Sequence, residues 1–485
     1  MAVDRDSIVS RSMDENTCLL HDEAGSGLNT PPDHNDTNKR PAELDRPLPK
    51  LQIFLLSASR LVEPVACFVI FPFINQMIYE TGVPIEDVGF YSGLIESLFS
   101  LTQMILMIPW GKAADCYGRK PVLVVSLMGL GVFTALFGLS QNLWQMILLR
   151  SLSGMFGGML ITVRTMISEN STPKTQARAF AFFSFAGNLG ILLGPAIGGV
   201  LSNPATEYPR LFGNFTLFKE YPYLLPTLVG GCVAAITSIT CAVFIQETLP
   251  KDDGILGAPS SYNTKQPRIS TWSLLRYPGI LVVLCVYNYA YFLGNACSAT
   301  LPVYFFTPVK MGGFGFSPYQ ISVYFCIAGF AQALWQLIVF PYLQHRFGTI
   351  RVIQASAGCW PVYFISFPIG NILLRHHLER VFWPVGSIFV VLLSGIAMSY
   401  TAVQLALNDI SPSPTTLSTI NALALMVTSG LRAVSPGTFS SLVAVGIKGH
   451  ILNGQLIWAV LLPLGIIFAV MTKFLPKGCE KPVEG

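Results

Sequence analysis

Trp110-Gly111-Lys112-Ala113-Ala114-Asp115-Cys116-Tyr117-Gly118-Arg119-Lys120-Pro121 places two glycines, one carboxylate and three cations between apolar runs at 90 to 110 and 121 to 140. Each run is long enough to cross a bilayer as a helix, which takes about 20 residues. The stretch therefore reads as the loop between two membrane spans. Gly111 and Gly118 permit a tight turn, and Asp115 with Arg119 and Lys120 supplies a charge cluster able to lock one helix bundle against another. The bland alternative is a solvated cationic loop with incidental glycines.

Working outward, further apolar runs lie near 53 to 75, 143 to 166, 179 to 201, 223 to 245, 278 to 300, 319 to 342, 351 to 373, 382 to 405, 417 to 443 and 454 to 474, which makes twelve spans. The longest polar interruption among them, 246 to 276, divides them six and six. The second half repeats the first. Pro341-Tyr342-Leu343-Gln344-His345-Arg346-Phe347-Gly348 follows span 8 as the opening stretch follows span 2, aligned on Gly348 and Gly118 with His345 where Asp115 stands. Gly190-x-x-x-Gly194-Pro195 in span 5 likewise has a counterpart in Ser429-Gly430-Leu431-Arg432-Ala433-Val434-Ser435-Pro436 of span 11. Symmetry between six-helix halves marks secondary transporters. The expected fold is an all-α, polytopic membrane protein. It has an N-terminal bundle at 51 to 245, a cytoplasmic loop at 246 to 276, a C-terminal bundle at 277 to 475 and a cytoplasmic tail at 476 to 485.

Composition agrees. Of 485 residues, 52% are hydrophobic and 12% charged, half the ~25% charged share usual in soluble domains. The net charge of +4 averages two parts. Residues 1 to 50 hold ten acidic and six basic side chains, and their polar, Pro-containing composition predicts a disordered cytoplasmic tail. The remainder is basic, and its cations concentrate in alternate loops. Lys112, Arg119, Lys120, Lys174, Arg178, Lys251, Lys265, Arg268, Arg276, Arg346 and Arg351 fall on one side, against Arg210, Lys219, Lys310, Arg375, Arg380 and Lys448 on the other. Cations favour the cytoplasmic side, so both termini are expected inside. The first apolar run opens near Leu51 behind a polar tail, so no cleavable signal is expected. The ten cysteines include no C-x-x-C pair and mostly lie in apolar runs, as small core residues do.

With no G-x-x-x-x-G-K-[ST] loop an ATP-driven pump is disfavoured, and no H-E-x-x-H, G-x-S-x-G or metal-ligand spacing supports an enzyme. No cofactor, metal or nucleic acid is expected, and a monomer in the lipid bilayer is.

The stretch 111 to 120 resembles the motif between helices 2 and 3 of the major facilitator superfamily, in particular its twelve-span drug:proton antiporters. Leu149-Arg150-x-x-x-Gly154-x-x-Gly157 is similar to the helix 4 motif, with Phe156 where a small residue is expected. Gly190-x-x-x-Gly194-Pro195-x-x-Gly198-Gly199 resembles the antiporter motif of helix 5. Arg60-Leu61-Val62-Glu63-Pro64 and Glu247-Thr248-Leu249-Pro250 look like signatures of a fungal branch related to plant zinc-induced facilitators. The resemblance implies a central cavity between the halves, exposed alternately to each side as one half rocks on the other, and a role in exchange for the span 5 motif. That motif also has its own physical reading: glycines on one face allow close helix contact, and Pro195 removes a backbone donor.

Ionisable residues inside spans are functional candidates by default. They are Arg60 and Glu63 in span 1, Glu96 in span 2, Arg150 and Arg164 in span 4, and Arg432 in span 11. Arg164 is near the inner edge, where it can snorkel. Glu63 lies near mid-membrane at ~1.5 Å of rise per residue. Burial there is expected to raise its pKa and let it bind and release protons as access alternates. Glu63, with Glu96 second and Arg150 as electrostatic neighbour, is the candidate for coupling protons to substrate. The competing reading is a permanent ion pair of Glu63 with Arg60 or Arg150. Cavity candidates are Arg60, Gln103, Asn188, Tyr287, Asn288, Tyr291, Asn295, Gln332, Gln336, Gln404, Asn408, Asn421 and Arg432. Aromatic and amide groups without a dominant charge suit amphipathic organic molecules.

The function expected is proton-coupled export of a small organic molecule. Uptake or vacuolar sequestration of a nutrient or metal chelate is the alternative transport reading, and a transceptor the non-transport one. Asn214-Phe215-Thr216 is a glycosylation sequon in a predicted outer loop. The plasma membrane is the expected location, although Glu15 to Leu20 resembles an acidic dileucine signal for the vacuole.

Overall fold

The computed structural model describes residues 49–172, 175–249, 276–410 and 414–476. The acidic tail, the dileucine-like segment, most of the central loop and the C-terminal tail lie outside the described residues.

The helices run α1 Lys50–Phe68, α2 Ile85–Tyr117, α3 Arg119–Phe137, α4 Leu143–Glu169, α5 Gln176–Leu201, α6 Leu224–Phe244, α7 Ile280–Phe306, α8 Pro318–Phe347, α9 Thr349–Arg375, α10 Glu379–Asp409, α11 Pro414–Lys448 and α12 Leu456–Met471. Among the described residues eleven helices are long and apolar enough to span a membrane. The eleventh of the twelve expected spans, the 35-residue α11, is not among these eleven. Span 1 is shorter than its apolar run predicts: α1 stops at Phe68, turns follow, and the chain resumes as the short helix Ile74–Glu80.

The two glycines that align the halves share one backbone conformation. Gly118 has φ 106°, ψ 154° and Gly348 has φ 83°, ψ 160°, a region that only glycine enters freely. Each ends one helix and starts the next without a linker. The internal symmetry is thus a repeated physical device. Gly111 corrects the reading of a two-glycine turn: it lies within α2, and an added Cβ would meet nothing within 4 Å.

Both halves also break their fourth helix in the same way. In α4 the helix interrupts at Phe156-Gly157-Gly158, and in α10 at the 3₁₀ segment Ser394–Ala397. An indole covers each break. Trp110 Nε1 donates to Met155 O at 2.6 Å, and Trp335 Nε1 donates to Val391 O at 2.8 Å, so carbonyls freed by the interruption keep a partner. Phe156, bulky where the resemblance calls for a small residue, packs its ring on Gly129 of α3 and stacks on Phe133 at 5.5 Å.

Apolar cores form within each half. One cluster joins Leu56, Leu127, Met166 and Ala234, and another joins Trp360, Phe364, Trp458 and Leu461. Phe367 stacks on Trp458 at 4.3 Å. The halves meet mainly through α2 on α11 and α5 on α8. Small residues permit this: an added Cβ on Gly93 would lie 2.8 Å from Ser440 Cβ, and Gly199 lies against Ser322. Ser322 Oγ donates to Pro195 O at 2.6 Å, the Gly437 N–H donates to Ser97 Oγ at 2.7 Å, and Lys448 pairs with Asp87 at 3.2 Å.

These contacts gather at the end of the molecule that carries the 203–222 and 307–317 connections. On α2, Val88, Ile95 and Phe99 are buried and Ile105 and Ile108 exposed.

Candidate functional site

Positions 60, 63 and 67 of α1 fall on one face by helical spacing, and the structure turns Arg60, Glu63 and Cys67 toward the other half. Glu63 is 3% exposed. Its Oε2 accepts from Arg60 at 2.9 Å, and its Oε1 accepts from Gln103 at 2.8 Å and from Arg432 at 3.4 Å. Arg432 comes from α11, so this pair bridges the two halves near mid-membrane. Its side chain keeps 36% of its surface accessible, which places solvent-accessible space at the junction. Arg432 also reaches Cys67 Sγ at 3.4 Å.

Glu63 therefore sits in ion pairs rather than in bare apolar burial, and the partner from the other half is Arg432, not Arg150. Arg150 is 2% exposed. It donates to Glu96 at 3.0 Å and to the carbonyls of Ala66 and Cys67 at 3.3 Å, with its guanidinium 4.1 Å over the Phe99 ring. A cation suits the unsatisfied carbonyls at a helix C-terminus, so Arg150 ties α4 and α2 to the end of α1. Glu96 is the other half of that tie.

Arg164 is half-buried, with its guanidinium 5.5 Å over Phe183, whose ring also carries Arg60 at 5.3 Å.

The amide and aromatic candidates mostly hold one another. Asn188 donates to Gln336 at 3.1 Å across the halves. Gln404 donates to Asn408 at 3.1 Å and Asn421 at 2.9 Å, and Thr428 donates to Asn288 at 3.0 Å. Tyr287 is buried against Tyr291 at 4.7 Å. Gln332 is half-buried, and Asn295 Nδ2 is buried with no partner.

The span 5 glycines divide between two neighbours, which corrects the single-face reading. Gly190, Gly194 and Gly198 lie against Leu61, Phe68 and Val69 of α1, and Gly199 against Ser322 of α8. Pro195 supplies the carbonyl that Ser322 bonds.

At the opposite end of α2, Arg119 pairs with Asp115 at 2.8 Å and Glu169 at 2.9 Å. Lys120 contributes its backbone N–H. Glu247, beyond α6, accepts from the N–H groups of Arg119 at 2.8 Å and Lys120 at 3.0 Å, capping α3 from 127 or more residues away. Burial acts to raise the Glu247 pKa, but the N–H groups of Leu249, Arg119, Lys120 and Thr248 outweigh it and hold the carboxyl below its usual range. Sequence reasoning met Glu247 only as part of a signature and missed this cap. It also missed Cys67, which lies against Arg432 and Arg150. Asn214 is exposed in the connection between α5 and α6.

Comparison with known proteins gives a consistent picture. A family model described as Major Facilitator Superfamily matches residues 56–436. The chain is 42% identical over 473 residues, 96% of each protein, to "Efflux pump azaK" of Aspergillus niger. It is 29% identical to "Protein ZINC INDUCED FACILITATOR 1" of Arabidopsis thaliana over 67% of this chain and 71% of that one. The fold resembles a bacterial homologue of the lysosomal transporter Spinster in an inward-facing, occupied conformation. There the TM-score is 0.64 at 13% identity, over 90% of this chain and 99% of that one.

Proposed function

The chain belongs to the major facilitator superfamily and is a multi-pass transporter, not an enzyme, and from that premise we propose that it exports small organic molecules in exchange for protons. The observation that carries this reading is the Glu63–Arg432 pair. A carboxylate is bound by two cations, one from each half, beside accessible space. Protonating Glu63 cancels its attraction for Arg432 and loosens the halves where they meet. Losing the proton restores the pair. Glu63 is the proposed proton carrier, with Glu96 and Arg150 fixing the end of α1 beside it.

Two contact sets support the proposed motion. Gly190, Gly194 and Gly198 let α5 lie close on α1, and the Gly118 turn with Asp115, Arg119 and Lys120 organises the junction of α2 and α3. The cation-rich loops support a cytoplasmic position for that junction and for both termini. On this reading the proposed cavity is loaded from the cell interior, as export requires. The similarity to a fungal efflux pump over almost the whole chain supports the same direction. The plasma membrane is the proposed location.

Accumulation of labelled organic compounds in a deletion strain, with and without a proton uncoupler, tests this. Higher accumulation on deletion, and on uncoupling in the parent strain, is expected. Export that ignores the uncoupler would remove the proton from the mechanism.

A further inference from the structure

The charges of the interior do not balance. Among the described residues, Arg60, Arg150, Arg164 and Arg432 face this space or its walls, against the carboxylates Glu63 and Glu96. Arg150 is consumed by Glu96, two carbonyls and Phe99. Arg60 and Arg432 share the single carboxylate of Glu63. Arg164 is left without an ion pair among the described residues, and its Nε is buried with no acceptor, as are those of Arg60 and Arg150. An excess of two positive charges remains. At membrane depth an unmatched guanidinium is costly, and such residues mark ligand sites. Phe183 lies under the guanidinium plane of Arg164 at 5.5 Å.

We infer that the transported molecule is an organic oxyanion, a carboxylate or its like, held at Arg164. This rests on the export reading for the direction of travel and on the structure for the charge. The fork of a guanidinium bonds two oxygens of one oxyanion at once. A bound anion also matches the surplus that Glu63 leaves, and supplies Arg164 with the partner no described side chain gives it.

The test uses full-length protein in nanodiscs of neutral phosphatidylcholine and two isosteric probes, naphthalene-1-sulfonate and naphthalene-1-sulfonamide. The sulfonate is expected to bind at least ~10-fold more tightly, the size of one charge-assisted contact. Arg164→Gln should bring sulfonate binding down to the sulfonamide level and leave the sulfonamide unchanged. Arg164→Lys should retain part of the preference and shows that the site still folds. Equal binding of the probes, no sulfonate binding at millimolar concentration, or a preference that survives Arg164→Gln would overturn the inference. So would displacement of the sulfonate by inorganic phosphate or glycerophosphate at equal concentration, since the site would then be one for small anions or lipid headgroups. Efflux of the sulfonate from proteoliposomes separates the two readings. Arg164-dependent binding without proton-driven efflux refutes export and leaves the anion site standing. Proton-driven efflux of the sulfonamide without anion preference does the reverse.

Discussion

Glu63→Gln perturbs the junction of the halves with almost no change of shape. In the wild type, Oε2 serves Arg60 at 2.9 Å, while Oε1 serves Gln103 at 2.8 Å and Arg432 at 3.4 Å. The amide keeps one acceptor oxygen and replaces the other with an NH₂ from which no guanidinium can accept, so two guanidiniums lose their counter-charge. Removing one partner of a buried ion pair costs roughly 3–5 kcal/mol. The side chains of Arg60 and Arg432 are 20% and 36% exposed, so water meets part of the released charge and the loss should fall near ~2–3 kcal/mol. The share that belongs to the cross-half pair is smaller. Its bond is long and half-solvated, so a double-mutant cycle with Arg432→Gln should give a coupling of ~1 kcal/mol. That is about a fivefold bias toward this arrangement of the halves. Thermal unfolding of the four proteins in nanodiscs at pH 7 measures both numbers. Unchanged stability in Glu63→Gln, or a coupling indistinguishable from zero, would refute the claim that this carboxylate holds the halves together.

Other outcomes follow from local geometry. Gly118→Ala forces a Cβ into a backbone region reserved for glycine and against the Glu247 carboxylate. It should cost ~1–3 kcal/mol, whereas Gly111→Ala, helical and in open space, should be neutral or stabilising by ~0.5–1 kcal/mol, as read by thermal unfolding of both. Glu247→Ala removes the cap of α3 and should lose ~1–2 kcal/mol at neutral pH. Because the folded carboxyl titrates below its usual 4.5, that contribution is complete above about pH 5 and disappears as pH falls through the folded value. Wild type and variant should therefore converge as pH falls through the folded value, and a gap that does not narrow in acid would contradict the cap. Trp110→Phe keeps the ring over Gly158 but deletes the bond to Met155 O. A loss of ~1 kcal/mol and faster hydrogen exchange confined to the 155–159 break are expected in exchange mass spectrometry.

The fold was legible because it is written in local signals. Apolar length placed the spans, and the stretch around Gly118 with its echo at Gly348 declared the two halves; the glycines prove to share one backbone conformation. Where the reading failed, it lacked information on which faces meet. Glu63 and Arg432 are 369 residues apart, and depth along a helix does not reveal azimuth, so of the two partners the sequence offered, Arg60 pairs with Glu63 and Arg150 pairs with Glu96 instead. Gly111 looked like a turn glycine because spacing cannot distinguish a residue that ends a helix from one a few positions inside it. Glu247 was recognisable as a signature, but its task of capping α3 depends on α6 ending beside Gly118, a tertiary fact.

Transport by the purified full-length protein in proteoliposomes, with a labelled compound identified by the accumulation screen, tests proton-coupled exchange most directly. An imposed pH gradient, acid on the side from which protons are drawn and toward which the compound moves, should accelerate movement of the compound against the protons. An uncoupler or Glu63→Gln should abolish that acceleration. Movement at the same rate with and without the gradient, or undiminished gradient-driven movement in Glu63→Gln, would contradict it.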